Sequence, residues 1–457
     1  MLDDSNPAPL RRGGNDFELP GFPPSALLET GPDNEYYFVS RFVDLITSSR
    51  HGYNPLRPRS WVFDLPNLLS TTDVPSVKYS IRAAALMYVA VAHRDRRAEA
   101  DAVRWYLTSL ESYRATLGRR EDGATVAQPM PDGKTICVPM MFLYFESMRG
   151  ASESWALHHR AVAEMLEARG PFNCSAGMEH GMMRSVRAME VSFVELNSSP
   201  PLGRLRLTIR FMASQAFDSI LQNRPSRFAT PEWCLIPFRQ SRKISFDRLI
   251  DVLLSFPSQL QLPRADKTGS SLRNDIRGVH DLATDQKNAI EDRVNILLLQ
   301  LQWWWWDFEE EHTGASPASV CPEADSPEHE SPLSRAASCM FVHRDTLTAN
   351  ASALYSAASI ILHSVLLVLA LSKPPALIGA DVVSLVNISQ SSIASHASSV
   401  LRAAAYLTET SPFCGDTLRT IVAVQIVSLL ALEDSKREQA QSMLAKWNYP
   451  RGTCPVS

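Results

Sequence analysis

The residues with most chemistry to offer are histidines, cysteines, serines and tryptophans, and their spacing limits what that chemistry can be. His158 and His159 follow Trp155 by three and four positions, with Val162 and Leu166 on the same helical face. A histidine on such an apolar face is ordinarily a hydrogen-bonded core residue. Neither this pair nor Glu179-His180 forms the His-Glu-x-x-His spacing that holds a metal on one helix. The seven cysteines (137, 174, 234, 321, 339, 414 and 454) are scattered, the closest two standing 18 positions apart. With no Cys-x-x-Cys, neither a zinc finger nor a thioredoxin-like redox pair is available locally. The sequence also lacks a Gly-x-Ser-x-Gly nucleophile elbow, a phosphate-binding loop and a Gly-x-Gly-x-x-Gly fingerprint. The serine-rich run Ser389–Ser399 encloses His396 but has no acid nearby, and its small residues suit close helix packing. No catalytic residue, cofactor or metal is expected, and the chain is not expected to be an enzyme.

Trp303, Trp304, Trp305 and Trp306 stand in a row. On a helix each residue advances about 100°, so four in succession point to nearly every side. Covering one indole is worth about 4–6 kcal/mol before entropy is subtracted. The four therefore predict either a helix buried all round or one whose outward indoles line a ligand or partner groove.

The net charge of −4 argues against a chain whose own charge draws it to nucleic acid. Two basic clusters stand out. Arg94–Arg104 mixes signs and reads as a solvated helix face. Arg239–Arg248 is denser; it reads as a solvated loop, with phosphate contact or a nuclear-import signal as alternatives. The N-terminus begins Met1-Leu2-Asp3-Asp4 and has neither the basic nor the apolar region of a secretory signal. An intracellular chain with reduced thiols is expected. The most apolar run, Tyr355–Leu371, is marginal for a bilayer and interrupted by Ser356, Ser359, His363 and Ser364. It predicts a buried core helix and no membrane partner.

The elements that must position these residues are helices. A leader is expected over 1–33 and helical structure over 34–312. A Pro/Gly-rich stretch spans 52–66. The cleanest stripe is Val103, Tyr106, Leu107, Leu110, Tyr113 and Leu117, at i, i+3, i+4, i+7 spacing. A helix over 136–148 follows, with Pro139 expected in its first turn. The next starts at Ser152 and stops at Gly170-Pro171, where Gly170 is suited to a left-handed cap. Further helices are expected over 177–196, near 246–256 and over 289–311. Residues 313–340 read as a Ser/Pro-rich linker with Ser-Pro pairs at 316, 326 and 331. The segment 341–449 should hold helices at 347–371, 379–409 and 416–447, the last broken near 433–436, packing back on the first part. Residues 450–457 form a tail. The fold class is all-α, and no sequence repeat is evident.

One segment resembles a known family. Residues 138–150, VPMMFLYFESMRG, precede ESWALHHRAVAEMLEARGP and then GMEHGMMRSVR. This order resembles the regulatory domain of fungal Zn₂Cys₆ transcription factors: a Glu-bearing helix, Trp-x-x-His, a Leu-containing turn, Arg-Gly-Pro and a helix with a late Arg. The matching positions are Glu146, Trp155, His158, Ala161, Leu166, Arg169, Gly170, Pro171, Arg184 and Arg187; the family usually has Gly at Ala161. The stripe 104–117 and the closing run 437–455 resemble flanking parts of that domain, and the resemblance extends over roughly 35–447. Glu146 and Arg187 fall on neighbouring helices and are expected to pair.

The resemblance implies a nuclear, helical transcription regulator of a metabolic or secondary-metabolite gene set. It also implies an N-terminal six-cysteine zinc cluster that reads DNA, yet no cysteine precedes Cys137. Sequence-specific DNA binding by this chain is thus not expected. Action through other transcription regulators, a homo- or heterodimer partner or a small-molecule effector is. The alternative is a helical enzyme or small-molecule-binding protein with a pocket near Trp303–Trp306.

Overall fold

The computed structural model describes residues 32–47, 59–118, 130–149, 152–190, 225–263, 272–313, 343, 345–373, 379–411 and 414–448. Among these there are fifteen α-helices, five short 3-10 turns and no strand, as an all-α chain requires. In chain order the helices are α1 (Pro32–Thr47), α2 (Leu65–Thr71), α3 (Pro75–His93), α4 (Arg96–Gly118), α5 (Gly133–Arg149), α6 (Ser152–Arg169), α7 (Gly177–Glu190) and α8 (Pro231–Leu235). They continue with α9 (Ser245–Leu260), α10 (Leu272–Gly278), α11 (Thr284–Thr313), α12 (Thr346–Leu371), α13 (Ala380–Thr410), α14 (Gly415–Leu430) and α15 (Asp434–Asn448). The expected leader up to residue 31, the Ser/Pro linker with its three Ser-Pro pairs, and the tail lie outside the described residues.

Two groups of helices share one core. In the first, α3 packs against α1, α4 and α5, and α6 covers α5. In the second, α12 packs against α13 and α14, with α15 on α14. Helices α9 and α11 pack on each other and on α12, and α9 also meets α7. A single apolar cluster therefore runs from Val39 to Leu444.

The α4 stripe is shifted from its expected centre. Tyr106 and Tyr113 are buried, but Leu107 and Leu117 are exposed. The buried line is Ala98, Ala102, Tyr106, Ser109 and Tyr113. Small residues along it let α3 approach closely, and the Ser109 hydroxyl donates to the Ser76 carbonyl at 2.8 Å. Apolarity alone does not reveal this, because the line trades leucines for alanines.

Pro139 lies in the second turn of α5, not the first, because the helix begins at Gly133. Its missing N–H removes the intrahelical donor for the Thr135 carbonyl. The Tyr113 hydroxyl of α4 donates to that carbonyl at 3.2 Å. Pro66, in the expected Pro/Gly-rich stretch, instead occupies the first turn of α2, where a proline is tolerated.

Helix α12 is covered nearly all round, and 78% of its most apolar window is buried. It has the length and composition of a membrane span, but α9, α11, α13 and α14 cover it. Its start is fixed by Asp345, whose carboxylate accepts from the Thr348 N–H at 2.8 Å while the Thr348 hydroxyl lies 3.2 Å from the Asp345 N–H. Polar side chains pin it to α14. Thr346 donates to Asp416 at 2.7 Å, and Thr420 donates to the Asn350 side chain at 3.1 Å.

Candidate functional site

The segment over 138–187 folds into α5, α6 and α7, and its marked residues are interior ties. Trp155 donates from Nε1 to the Ser147 hydroxyl at 2.9 Å and stacks on His159. His158 Nε2 meets the Tyr106 hydroxyl at 2.9 Å, and Tyr106 stacks on Phe145. Burial lowers His158 to about 4, and burial helped by the Arg227 charge lowers His159 to about 3. Both rings are therefore neutral near pH 7. Burial raises the Glu146 carboxyl, while its hydrogen bond with Tyr106 and the charge of Arg149 act in the opposite direction.

Arg169 explains the Arg-Gly-Pro triplet. Its guanidinium donates to the Asn173 carbonyl at 3.0 Å, the Pro131 carbonyl at 2.7 Å and the Glu179 carboxylate at 2.9 Å. One side chain thus ties the end of α6 to the entry of α5 and the first turn of α7. Gly170 does have a positive φ, but at φ 79° and ψ 159° it is not the left-handed helical cap expected. This is an extended conformation open essentially to glycine. It redirects the chain into the 3-10 turn Pro171–Cys174.

The expected pairing of Glu146 with Arg187 does not form. Arg187 is buried and pairs with Asp251 of α9, and Lys243 pairs with the same carboxylate. Glu146 has Arg149 of its own helix at 3.8 Å. One turn before Arg187, Arg184 grips Asp247 with two nitrogens at 2.9 and 2.6 Å. Two arginines of α7 thus meet two aspartates of α9. The cluster over 239–248 is correspondingly less free than a solvated loop. Arg242 and Arg248 reach Glu311 at 3.6 and 2.8 Å, and Arg239 lies over the Phe172 ring.

The four tryptophans of α11 divide in pairs. Trp304 and Trp305 are buried: Trp304 donates to the Ser245 carbonyl at 2.6 Å, and Trp305 stacks on Tyr355 of α12. Trp303 and Trp306 face outward, 67% and 49% exposed. They continue a stripe begun by Ile296 and Leu299, 51% and 56% exposed. The spacing of three, four and three residues keeps all four on one side of the helix. Exposed Asp292 and Glu310 stand one step beyond the two ends of this ridge, and exposed Asp307 stands beside it. Between the ridge and α9 lies a groove of about 430 Å³ lined by Val252, Ile296, Leu299, Trp303 and Trp304, with Arg248 and Asp307 at 3.9 Å from each other.

A family model described as the fungal specific transcription factor domain matches residues 35–444. The chain belongs to this family. No curated protein and no solved structure matches it. The fungal transcription factor domain here spans both helix groups and includes the ridge on α11. Its family is one of transcription factor regulatory domains. The ties around Arg169, Trp155 and His158 hold the α5–α6–α7 corner of this domain together.

Other residues at the junction of the two groups carried no spacing signal. A second cavity, of about 400 Å³, is formed by Arg59, α7, the segment 241–246, α11 and α12. Among the described residues no group of three or more His, Cys, Asp or Glu side chains is arranged to hold a metal ion. Cys137, Cys174, Cys234 and Cys414 are free thiols, all but Cys234 buried.

Proposed function

We propose that the chain is a nuclear transcription regulator, specific to one pathway such as a secondary-metabolite gene set, that acts by docking a partner protein on the α11 ridge. The family assignment supports the regulator role. The observation that carries the partner role is the stripe Ile296, Leu299, Trp303 and Trp306, exposed yet apolar. A contiguous exposed apolar patch on a soluble fold marks an interaction site.

The charges around the stripe select the occupant. Asp292 and Glu310 bracket it, so two copies packed antiparallel would set Asp292 against Glu310 at both ends. A parallel pair would set each acid against itself. An amphipathic helix with Lys or Arg flanking its apolar face suits the ridge instead. In this reading the partner is a different regulator. The alternative, an enzyme or small-molecule site near the tryptophans, is less well supported. The charged groups of that groove, Arg248 and Asp307, face each other instead of converging on a substrate position.

The test is transcription itself. Tethered to a heterologous DNA-binding domain in a fungal nucleus, the chain should change reporter output. Leu299→Glu and Trp303→Glu should remove that change while leaving the melting temperature within about 2 °C, since both positions are exposed. A tethered wild-type chain without effect would overturn the regulator role. Variants with full effect would overturn the ridge.

A further inference from the structure

The cavity at the junction is distinct from the ridge groove, and its walls have a consistent chemistry. Phe246 of α9, Phe308 of α11, and Leu347 and Ala351 of α12 give it an apolar body. His312, also lining it, is buried. Its Nδ1 lies 2.9 Å from the Phe308 carbonyl and must donate there. With Nδ1 committed to that carbonyl, Nε2 is the ring nitrogen left to accept a hydrogen bond. A second acceptor sits nearby. His180 donates from Nδ1 to the Cys174 carbonyl at 3.0 Å, so the Ser241 hydroxyl donates to His180 Nε2 at 3.1 Å and keeps its lone pairs free.

The outer wall is cationic. Three guanidinium groups line the cavity, from Arg59, Arg184 and Arg242, against one carboxylate, Glu311. Arg184 is taken up by Asp247, and Glu311 by Arg248 at 2.8 Å. Arg242 keeps only a 3.6 Å contact to Glu311, and Arg59 an exposed pair with Asp64. Exposed pairs of this kind hold weakly, so both cations are able to turn to an incoming anion. A volume of about 400 Å³ suits a small organic ligand.

We propose that this cavity binds a small organic acid, with an apolar body, a carboxylate facing Arg59 and Arg242, and a hydroxyl facing His312. The proposal does not depend on the partner reading. The cavity walls come from both helix groups, so the ligand bridges them, and it acts as an effector if the chain is a regulator.

The test is calorimetric titration of the full chain with three probes: 3-(4-hydroxyphenyl)propanoate, 3-phenylpropanoate and 3-phenylpropylamine. Both acids should bind with one-to-one stoichiometry, the hydroxylated one more tightly, and the amine should bind at least about tenfold more weakly. Reversing both surface charges, Arg59→Glu with Arg242→Glu, should lower acid affinity about tenfold with unchanged melting. His312→Leu should abolish the preference for the hydroxylated acid; if that variant fails to fold, the wild-type preference alone decides. Trp303→Ala should leave binding unchanged. Acids that fail to bind at millimolar concentration, an amine that binds equally well, or a charge-reversed chain of undiminished affinity would overturn the proposal.

Discussion

Arg184 holds Asp247 through two nitrogens along one edge of its guanidinium, at 2.9 and 2.6 Å, and thereby fixes α7 against the first turn of α9. Asp247 is doubly placed, since it also accepts from the Ile244 N–H at 3.1 Å at the start of α9. The arginine locks one helix by gripping the residue that caps the start of another. The Arg187–Asp251 pair repeats the contact one turn further along.

Removing Arg187 leaves the Asp251 carboxylate to Lys243 and the Cys234 thiol. Arg187→Ala should cost about 3 kcal/mol, near the lower end for breaking a buried pair. In a double-mutant cycle read by urea unfolding, Arg187→Ala and Asp251→Ala should couple by about 1 kcal/mol or more, whereas Arg187→Ala and Glu146→Gln should add independently. Coupling to Glu146 in place of Asp251 would contradict the pairing.

Gly181 of α7 faces Trp61 so closely that a Cβ built on it would lie 2.7 Å from the Trp61 Cβ. Alanine ordinarily stabilises a helix interior by about 0.5–1 kcal/mol over glycine. Here overpacking of about 1–3 kcal/mol should win. Gly181→Ala is expected to lower the melting temperature, and a rise would show that Trp61 can retreat.

The Tyr113 hydroxyl stands in for the donor that Pro139 lacks. Tyr113→Phe should cost about 1–2 kcal/mol by leaving the Thr135 carbonyl unsatisfied. Pro139→Ala in that background should recover part of the loss by restoring a backbone N–H. Additive losses in chemical denaturation would refute the compensation.

Acid should destabilise the fold through its histidines. Burial holds His158 and His343 near 4 in the folded state, and His159 near 3, all below the ordinary value of 6.5. The unfolded chain therefore binds protons that the folded chain refuses. Stability should be full above about pH 6.5 and fall as pH drops toward 4, by up to about 1.4 kcal/mol per pH unit for each such histidine. The raised carboxyls Glu146, Glu190 and Glu309 work the other way. His159→Phe should flatten the slope by about one proton. An unchanged slope of unfolding free energy against pH would show that His159 already titrates in the folded chain.

Much of this architecture was legible where a helix announces itself by period and by its stop. The Gly170-Pro171 boundary ends α6 where expected, and the break near Glu433 separates α14 from α15. The division of the tryptophans follows from a 100° advance per residue, since two adjacent indoles can share a core while the outer two cannot. What period does not encode is which neighbour a charged side chain meets. Arg187 reaches an aspartate 64 positions away because α9 crosses α7, and no spacing within α7 distinguishes Asp251 from Glu146. The cavity was illegible for the same reason. Arg59, Ser241, His312 and Ala351 come from four distant parts of the chain and meet only once both helix groups have packed.

The enclosure of α12 has a consequence during synthesis. Its last residue, Leu371, leaves the ribosome before any residue of α13 or α14, two of the four helices that cover it. About 60 more residues must follow before α14 is complete, which takes roughly 3–12 s at 5–20 residues per second. For that interval the nascent chain displays the α13- and α14-facing sides of a helix with the hydropathy of a membrane anchor. A nonsense mutation after residue 373 would make that transient exposure permanent, and the product should be cleared or aggregate even though every residue of the ridge and of the junction cavity's lining had already been made.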